Sequence, residues 1–294
     1  MVSIITVNYN GLQDTCEMIA SFKRHETYPY QMVVVDNASV RNEAEEIRIR
    51  FPEVTVVRSE RNLGFAGGNN LGYAYANGDY IFYLNNDMEI REPILEKMVA
   101  RLKRSDIGGV SPMMRCFYPP YDLLYYGYGR MTAITLKHTT PLYDASKEAL
   151  YNQPCLTEVM HGGAMMVRRD VIERVGRMTE VYFLFYEEFD WSYKITDAGY
   201  QLWYEPAAVV YHKEGMSIGK RSPMREFYLS RGRILFARRN NRGINRCLSC
   251  LYLSVLVLGR NLLRYGMYGE WTMVRAVLSG TFRGLVDPSL QSKE

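Results

Sequence analysis

Cysteine is scarce and badly placed for cross-linking. The chain has 5 in 294 residues, at positions 16, 116, 155, 247 and 250, an odd and scattered set that does not suggest a disulfide framework. Cys247 and Cys250 form a lone C-x-x-C inside an apolar run. With no second pair to complete a zinc site, they read as two small buried residues one helical turn apart. No basic segment followed by an apolar stretch opens the chain, because Met1 leads straight into Val2-Ser3-Ile4-Ile5. The expectation is therefore no secretory leader and a reducing, cytoplasmic setting. Neither a P-loop nor a G-x-G-x-x-G run occurs, and no Ser-His-Asp or Cys-His arrangement offers a covalent nucleophile. The longest apolar run of the C-terminal region, Leu248–Leu258, is shorter than the ~20 residues a membrane span requires.

Hydrophobic residues make up 47% of the chain, which argues against disorder and for a globular α/β domain with an appendage. Charge is unevenly divided. Residues 213–294 hold 15 Lys and Arg against 5 Asp and Glu, whereas residues 1–212 hold 21 against 27. A basic tail on an acidic body suggests attraction to an anionic surface, membrane or nucleic acid.

The rhythm of the first third is strand, helix, strand, helix, strand. Val2–Val7 ends in the turn signal Asn8-Tyr9-Asn10-Gly11, and Leu12–His25 carries apolar residues at helical spacing. Met32–Val35 ends at Asp36-Asn37-Ala38-Ser39, a charged helix spans about 42–50, and Val54–Val57 is a third strand. Such alternation implies right-handed βαβ units and a parallel sheet. Arg61–Asn70 then places three glycines in five positions before a helix to about Asn77, so backbone can approach a ligand closely. A turning surface loop is the alternative.

Tyr80-Ile81-Phe82-Tyr83-Leu84 reads as a strand buried on both faces, stopping abruptly at Asn85-Asn86-Asp87. Ligands of open α/β sheets bind beyond the carboxyl ends of strands, so this polar triplet faces a crevice. Alternation puts Asn85 and Asp87 on one side and Asn86 on the other. Oxygen ligands so spaced suit a hard cation, Mg²⁺ or Mn²⁺. Pro93–Arg104 reads as a helix and Gly109–Met113 as a strand, after which 115–157 loses periodicity and becomes rich in tyrosine. Those tyrosines either meet a sugar or pack on the domain.

Val159–Val167 returns to strand character and Val171–Val175 is a short helix. Glu187, Glu188 and Asp190 follow an aromatic run and open a helix over 187–198. They complement the helix dipole, or one of them, its pKa raised by aromatic surroundings, serves as a base. Leu202–Tyr204 and Ala208–Tyr211 are two short strands broken by Pro206, the second ending on His212 before a basic loop with Lys220 and Arg221. Phe227–Arg239 and Ile244–Arg264 are basic helices. The second, with its apolar centre, arginine flanks and nearby Tyr252, Tyr265, Tyr268 and Trp271, reads as a helix lying in a membrane interface over 244–271. An oligomer contact, as in a homodimer, or packing on the body is the alternative. The apolar centre disfavours nucleic acid.

These motifs, in this order and spacing, resemble family 2 of the inverting glycosyltransferases, and among them rhamnosyltransferase-like members that build bacterial surface polysaccharides. The resemblance covers about residues 2–240. It implies a GT-A fold, with a Rossmann-like, mostly parallel twisted sheet flanked by helices and a C-terminal helical appendage. Residues 1–221 would be the catalytic domain, with a donor-binding half at about 1–113 and an acceptor-side half at 114–221. Residues 222–294 would be the tail. It further implies that Thr6, Asn8 and Asp36 line the pocket for nucleobase and ribose, and that Asn62, Gly64 and Asn69 shape the donor site. Asn85 and Asn86 would border the donor. Asp87 matches the carboxylate of the family's D-x-D motif and would bind the divalent cation, joined by His212. Glu188 matches the catalytic base, with Glu187 and Asp190 close enough to be confused with it, and Lys220 or Arg221 would neutralise diphosphate. The metal motif departs from the family in carrying one carboxylate where many relatives have two, and the base is Glu rather than Asp. The implied reaction moves a sugar from a UDP- or dTDP-linked donor, rhamnose among the choices, to a glycan or lipid-linked acceptor at the inner face of the plasma membrane. A sugar nucleotidyltransferase or a non-catalytic nucleotide-sugar-binding module is the alternative.

Overall fold

The computed structural model describes residues 1–119, 123–125, 127, 131–137, 148–213 and 222–288. Lys220 and Arg221, expected to neutralise diphosphate, and Tyr121, Tyr126, Tyr128 and Tyr143 of the tyrosine-rich stretch lie outside the described residues. In chain order the elements are β1 (Val2–Asn8), α1 (Leu12–His25), β2 (Tyr30–Asp36), α2 (Glu43–Arg50), β3 (Thr55–Arg58), α3 (Gly64–Tyr73) and β4 (Tyr80–Leu84). There follow β5 (Met88–Glu89), α4 (Leu95–Leu102), β6 (Ile107–Cys116), β7 (Leu123–Tyr125), α5 (Glu148–Tyr151), β8 (Cys155–Thr157), β9 (Ala164–Arg168), α6 (Arg169–Val175), α7 (Glu187–Asp197) and β10 (Gln201–His212). The C-terminal region is α8 (Pro223–Asn240), α9 (Gly243–Leu251), a π-helical turn (Tyr252–Val257), α10 (Leu258–Met267) and α11 (Trp271–Val286).

One sheet carries the fold, in the order β3-β2-β1-β4-β9-β6-β10-β5. The predicted βαβ half is parallel from β3 through β4, while β9 and β5 run antiparallel to their neighbours. Strand order reverses between β1 and β4, which opens a crevice at their carboxyl ends. Asn8-Tyr9-Asn10 and Asn85-Asn86-Asp87 both end there. β4 is buried on both faces, as its uninterrupted apolar run requires, with Ile81, Phe82, Tyr83 and Leu84 all in the core. Tyr83 meets Trp191 edge to face, with centroids 5.6 Å apart, which fixes α7 over the central strand.

Three expectations need correction. Pro206 does not divide two strands. β10 is continuous and absorbs the proline in a register shift against β6 between Glu205 and Val209, where the ladder needs no N–H from that position. The helix expected from Phe227 begins at Pro223, capped by the Ser222 hydroxyl accepting from Arg225 N, with proline at its first position. Cys247 is exposed and Cys250 half-buried, so the pair is not a buried one.

The tail is part of the body's packing. Ile234, Leu235, Phe236 and Ala237 of α8 share a core with Tyr182 and Tyr186 just before α7 and with Met131 and Leu136. The helical run Gly243–Met267 is 25 residues long, so the short apolar run at its centre understated it. By length and composition alone it could cross a membrane.

Candidate active site

Asp87 and His212 meet through strand pairing. β5 begins one residue after Asp87 and pairs antiparallel with the end of β10, His212 opposite Met88. His212 Nε2 lies 3.2 Å from Asp87 Oδ1. That oxygen is buried and has no hydrogen-bond partner among the described residues. An orphaned buried carboxylate oxygen is costly unless something else satisfies it. A carboxylate and an imidazole converging on one point fit a divalent cation whose remaining ligands come from elsewhere. Asn86, as the alternation predicted, turns the other way: its amide donates to Thr15 Oγ1 (3.0 Å) and Gly11 O, tying the β4 end to α1.

Lys213, which drew no attention in the sequence, locks this corner. It is buried, bonds Asp14 and Glu89 at 3.4 and 2.7 Å, and also pairs with Glu17. Its backbone N donates to Asp87 O at 3.0 Å. The residue before it, His212, is thereby held against Asp87.

Asn85, His212, Glu187 and Glu188 all line one cavity of about 730 Å³, with His161, Gly162 and Gly163 between the two poles. Glu187 is buried and its Oε2 has no hydrogen-bond partner among the described residues, whereas Glu188 is half-buried at the cavity wall. Burial pushes both carboxyls up, Glu188 to about 7, and the neighbouring charge of Glu188 raises Glu187 further. Glu188 packs beside Gly162, where a methyl would meet its side chain at an ordinary contact distance of 3.4 Å.

The helix bearing these acids follows a strained approach. Phe183, Phe185 and Tyr186 have φ of +67°, +66° and +78°, a region bulky residues rarely adopt. Two glycines clasp that segment. Phe183 O accepts from Phe65 N at 2.8 Å, and a methyl on Gly64 (φ +73°) would sit 2.2 Å from the same oxygen. On the other side, a methyl on Gly232 of α8 would lie 2.9 Å from the Tyr186 ring. The glycine-rich loop and the tail helix therefore jointly set the turn that leads into the acidic helix.

Asp190 has a different use. Its Oδ2 accepts from Tyr182 OH (3.0 Å) and from Arg239 Nε of α8 (2.7 Å). Removing one partner of a buried pair strands the other, at a cost of roughly 3–5 kcal/mol. Asp190→Ala is expected to lower the thermal midpoint markedly while leaving the activity of the folded fraction within a few-fold, as a melting curve beside an active-site titration would reveal.

The remaining predicted residues sit at the sheet edge or beside it. Asn8 and Asp36 are paired in register on β1 and β2 and fully buried. Asn8 Nδ2 donates to Glu43 Oε2 (2.8 Å) and Ser39 Oγ (3.3 Å), and Arg58 bonds Asp36 Oδ2 at 2.6 Å. Thr6 is buried on β1, its hydroxyl without a hydrogen-bond partner among the described residues. Asn62 accepts from Asn37 Nδ2 and Gly64 N, shaping the loop, and Asn69 donates to Phe65 O within α3. None of these lines the cavity that holds the acids. Sequence reasoning missed Arg225, Arg233 and Arg260, which do line it. The charge excess after residue 212 was their signal, but only the folding-back of α8 and α10 assigns them. Of the described tyrosines in the aperiodic stretch, Tyr125 and Tyr151 pack inward and Tyr118 is exposed.

The crevice at the strand reversal, the buried Asp87–His212 pair and the mixed sheet with its C-terminal helices define a GT-A architecture. Mannosyltransferase PcManGT from Pyrobaculum calidifontis, solved with GDP-Man and Mn²⁺, superimposes with a TM-score of 0.60 at 17% identity over 98% of this chain and 87% of its own. The sequence profile of glycosyl transferase family 2 matches residues 3–176, and the chain belongs to that family. It is 26% identical over 208 residues to the low-salt glycan biosynthesis hexosyltransferase of Haloferax volcanii, a match covering 66% of this chain and 61% of the relative. The dTDP-rhamnosyl transferase RfbF of Shigella flexneri is 23% identical over 81% of this chain and 80% of its own.

Proposed function

We propose that the protein is an inverting hexosyltransferase that moves a sugar from a UDP- or dTDP-linked donor to a hydroxyl of a glycan or lipid-linked acceptor in surface polysaccharide synthesis. The observation that carries this reading is the shared cavity: Glu188 on one wall, Asn85 and His212 on another, and Asp87 behind His212. The names of the hexosyltransferase and rhamnosyltransferase relatives support the donor class. Residues 1–113 would take the donor, 114–221 the acceptor side, and 222–294 the membrane surface.

Asp87 and His212 would hold a divalent cation, Mg²⁺ or Mn²⁺, which when bound would supply positive charge where the leaving diphosphate gains negative charge. Arg225 on the same cavity adds fixed charge to it. Glu188 accepts the proton of the attacking hydroxyl, and attack from the face opposite the leaving group inverts the anomeric centre. Thr6, Asn8, Asp36, Asn62, Gly64 and Asn69 would shape the donor pocket, Asn8 and Asp36 mainly by rigidifying its floor. The Gly243–Met267 helix carries exposed Leu251, Leu256 and Leu263, packs on the body through Leu253, and meets α11 through Tyr265. Arg246, Arg260 and Arg264 along the same helix suit a membrane interface better than a span. A homodimer through this face is the competing use.

Release of nucleoside diphosphate from a panel of nucleotide sugars, with Mn²⁺, Mg²⁺ or chelator, tests the reading. Metal-dependent release from one donor is expected. Binding without release, even with membrane extract as acceptor, would favour a non-catalytic binding module. Because the base must be ionised, kcat/KM is expected to rise with pH and level off above about 7, where Glu188 has lost its proton. A profile flat from pH 5.5 to 8 would remove Glu188 from the role.

A further inference from the structure

A second, smaller groove of about 190 Å³ continues from the main cavity, sharing Leu229, Arg233, Val257 and Arg260 with it. Unlike the main cavity it includes no residue of the sheet edge or of α7. Its walls come from α8, the π-helical turn, α10 and α11. Arg233, Arg260 and Arg264 line it above an apolar floor that includes Leu253 and Leu258. The one carboxylate in its wall, Glu226, lies 3.9 Å from Arg225. Among the described residues, no carboxylate pairs within 4 Å with Arg233, Arg260 or Arg264.

Their partners are neutral: Arg233 donates to the Tyr186 hydroxyl at 2.8 Å, Arg260 to Asn261 Oδ1 at 3.3 Å, and Arg264 lies 5.8 Å from the centre of the Tyr265 ring, so an anion can neutralise the positive charge of the groove. Arg260 and Arg264 stand one helical turn apart, a spacing that lets both reach one phosphate. The same helix exposes Leu256 (62%), Leu263 (69%) and Met267 (78%). Guanidiniums beside exposed apolar side chains match an anionic head attached to a hydrocarbon chain. The groove leads into the cavity holding Glu188, and Arg233 Nε donates to the hydroxyl of Tyr186, the residue before α7, at 2.8 Å.

We propose that Arg233, Arg260 and Arg264 form an anion site, separate from the Asp87–His212 pole, that takes the phosphate of a lipid-linked acceptor entering from the membrane face. This rests on the transferase reading and assigns the acceptor's chemistry to named residues.

Full-length wild type and an Arg260→Gln/Arg264→Gln variant would be compared for binding to three probes. These are neutral vesicles doped with a long-chain isoprenyl phosphate, vesicles doped with phosphatidylglycerol to the same charge, and inorganic pyrophosphate. Both arginines are exposed, so the variant should fold. Arg233→Gln provides a second variant with a half-buried guanidinium. Wild type should bind isoprenyl phosphate vesicles at least about tenfold more tightly than the matched phosphatidylglycerol vesicles, and the variants should lose that preference. Equal losses from both vesicles would mean unspecific attraction and overturn the site. Binding of inorganic pyrophosphate as tight as that of the doped vesicles would make the ligand a free phosphate and overturn the lipid assignment. Nucleotide-sugar binding, measured in parallel, should be unchanged in the double variant. If it falls as well, the arginines belong to the donor site and the proposal fails. Absence of nucleotide-sugar binding in wild type would instead defeat the underlying transferase reading, whatever the vesicles do.

Discussion

Glu188→Gln is expected to lower kcat by roughly 10²- to 10⁴-fold with donor affinity nearly intact, the range by which a positioned base accelerates proton transfer. The amide keeps the shape of the carboxyl in its niche beside Gly162 but cannot take the proton. Glu187→Gln is the discriminating comparison. Glu187 is the more buried of the two and shares the same wall, so sequence alone leaves either as the base. Its buried, unpartnered oxygen makes it the harder acid to ionise, and the half-buried Glu188 is the better placed to receive a proton from a bound acceptor. The loss at Glu187 should therefore be at most about tenfold. Steady-state rates for both variants, with donor binding measured separately, decide between them. Equal losses would mean that the pair acts as one unit sharing a charge.

The second large effect is expected at Asp87. Asp87→Ala should reduce turnover by on the order of 10³-fold and shift the metal concentration for half-activation beyond the accessible range. His212→Ala should raise that concentration without abolishing turnover, because an imidazole supplies a ligand but no neutralising negative charge. The comparison uses activity against Mn²⁺ and Mg²⁺ concentration, with melting curves to exclude misfolding. The melting curves should stay close to wild type, because the Lys213 backbone bonds the Asp87 carbonyl and not its side chain. Unchanged metal dependence in Asp87→Ala would remove this residue from the metal role.

Much of the molecule followed from pattern. The β-branched runs at 2–7 and 32–35, the uncharged run at 80–84 and the helical spacing of Leu12–His25 each have one low-energy use, so strands, helices and the parallel order of the first half were legible. Asn85-Asn86-Asp87 announced a crevice because three oxygen-bearing residues cannot continue a buried strand, and alternation alone separated Asn86 from its neighbours. What the sequence could not decide is which distant groups share a space. His212 lies 125 positions from Asp87, and only the pairing of β5 with β10 joins them. Asp190 and Glu188 look equivalent in the chain, yet Arg239 of α8 neutralises one and leaves the other at the cavity wall. Pro206 looked like a break because local propensity is blind to a bulge that a neighbouring strand can accommodate. The tail's arginines were legible as charge and nothing more. Their direction depends on how α8 and α10 fold back against the body, and that is decided by long-range burial of Ile234, Phe236 and Leu253, a sum of many small contacts with no local signature.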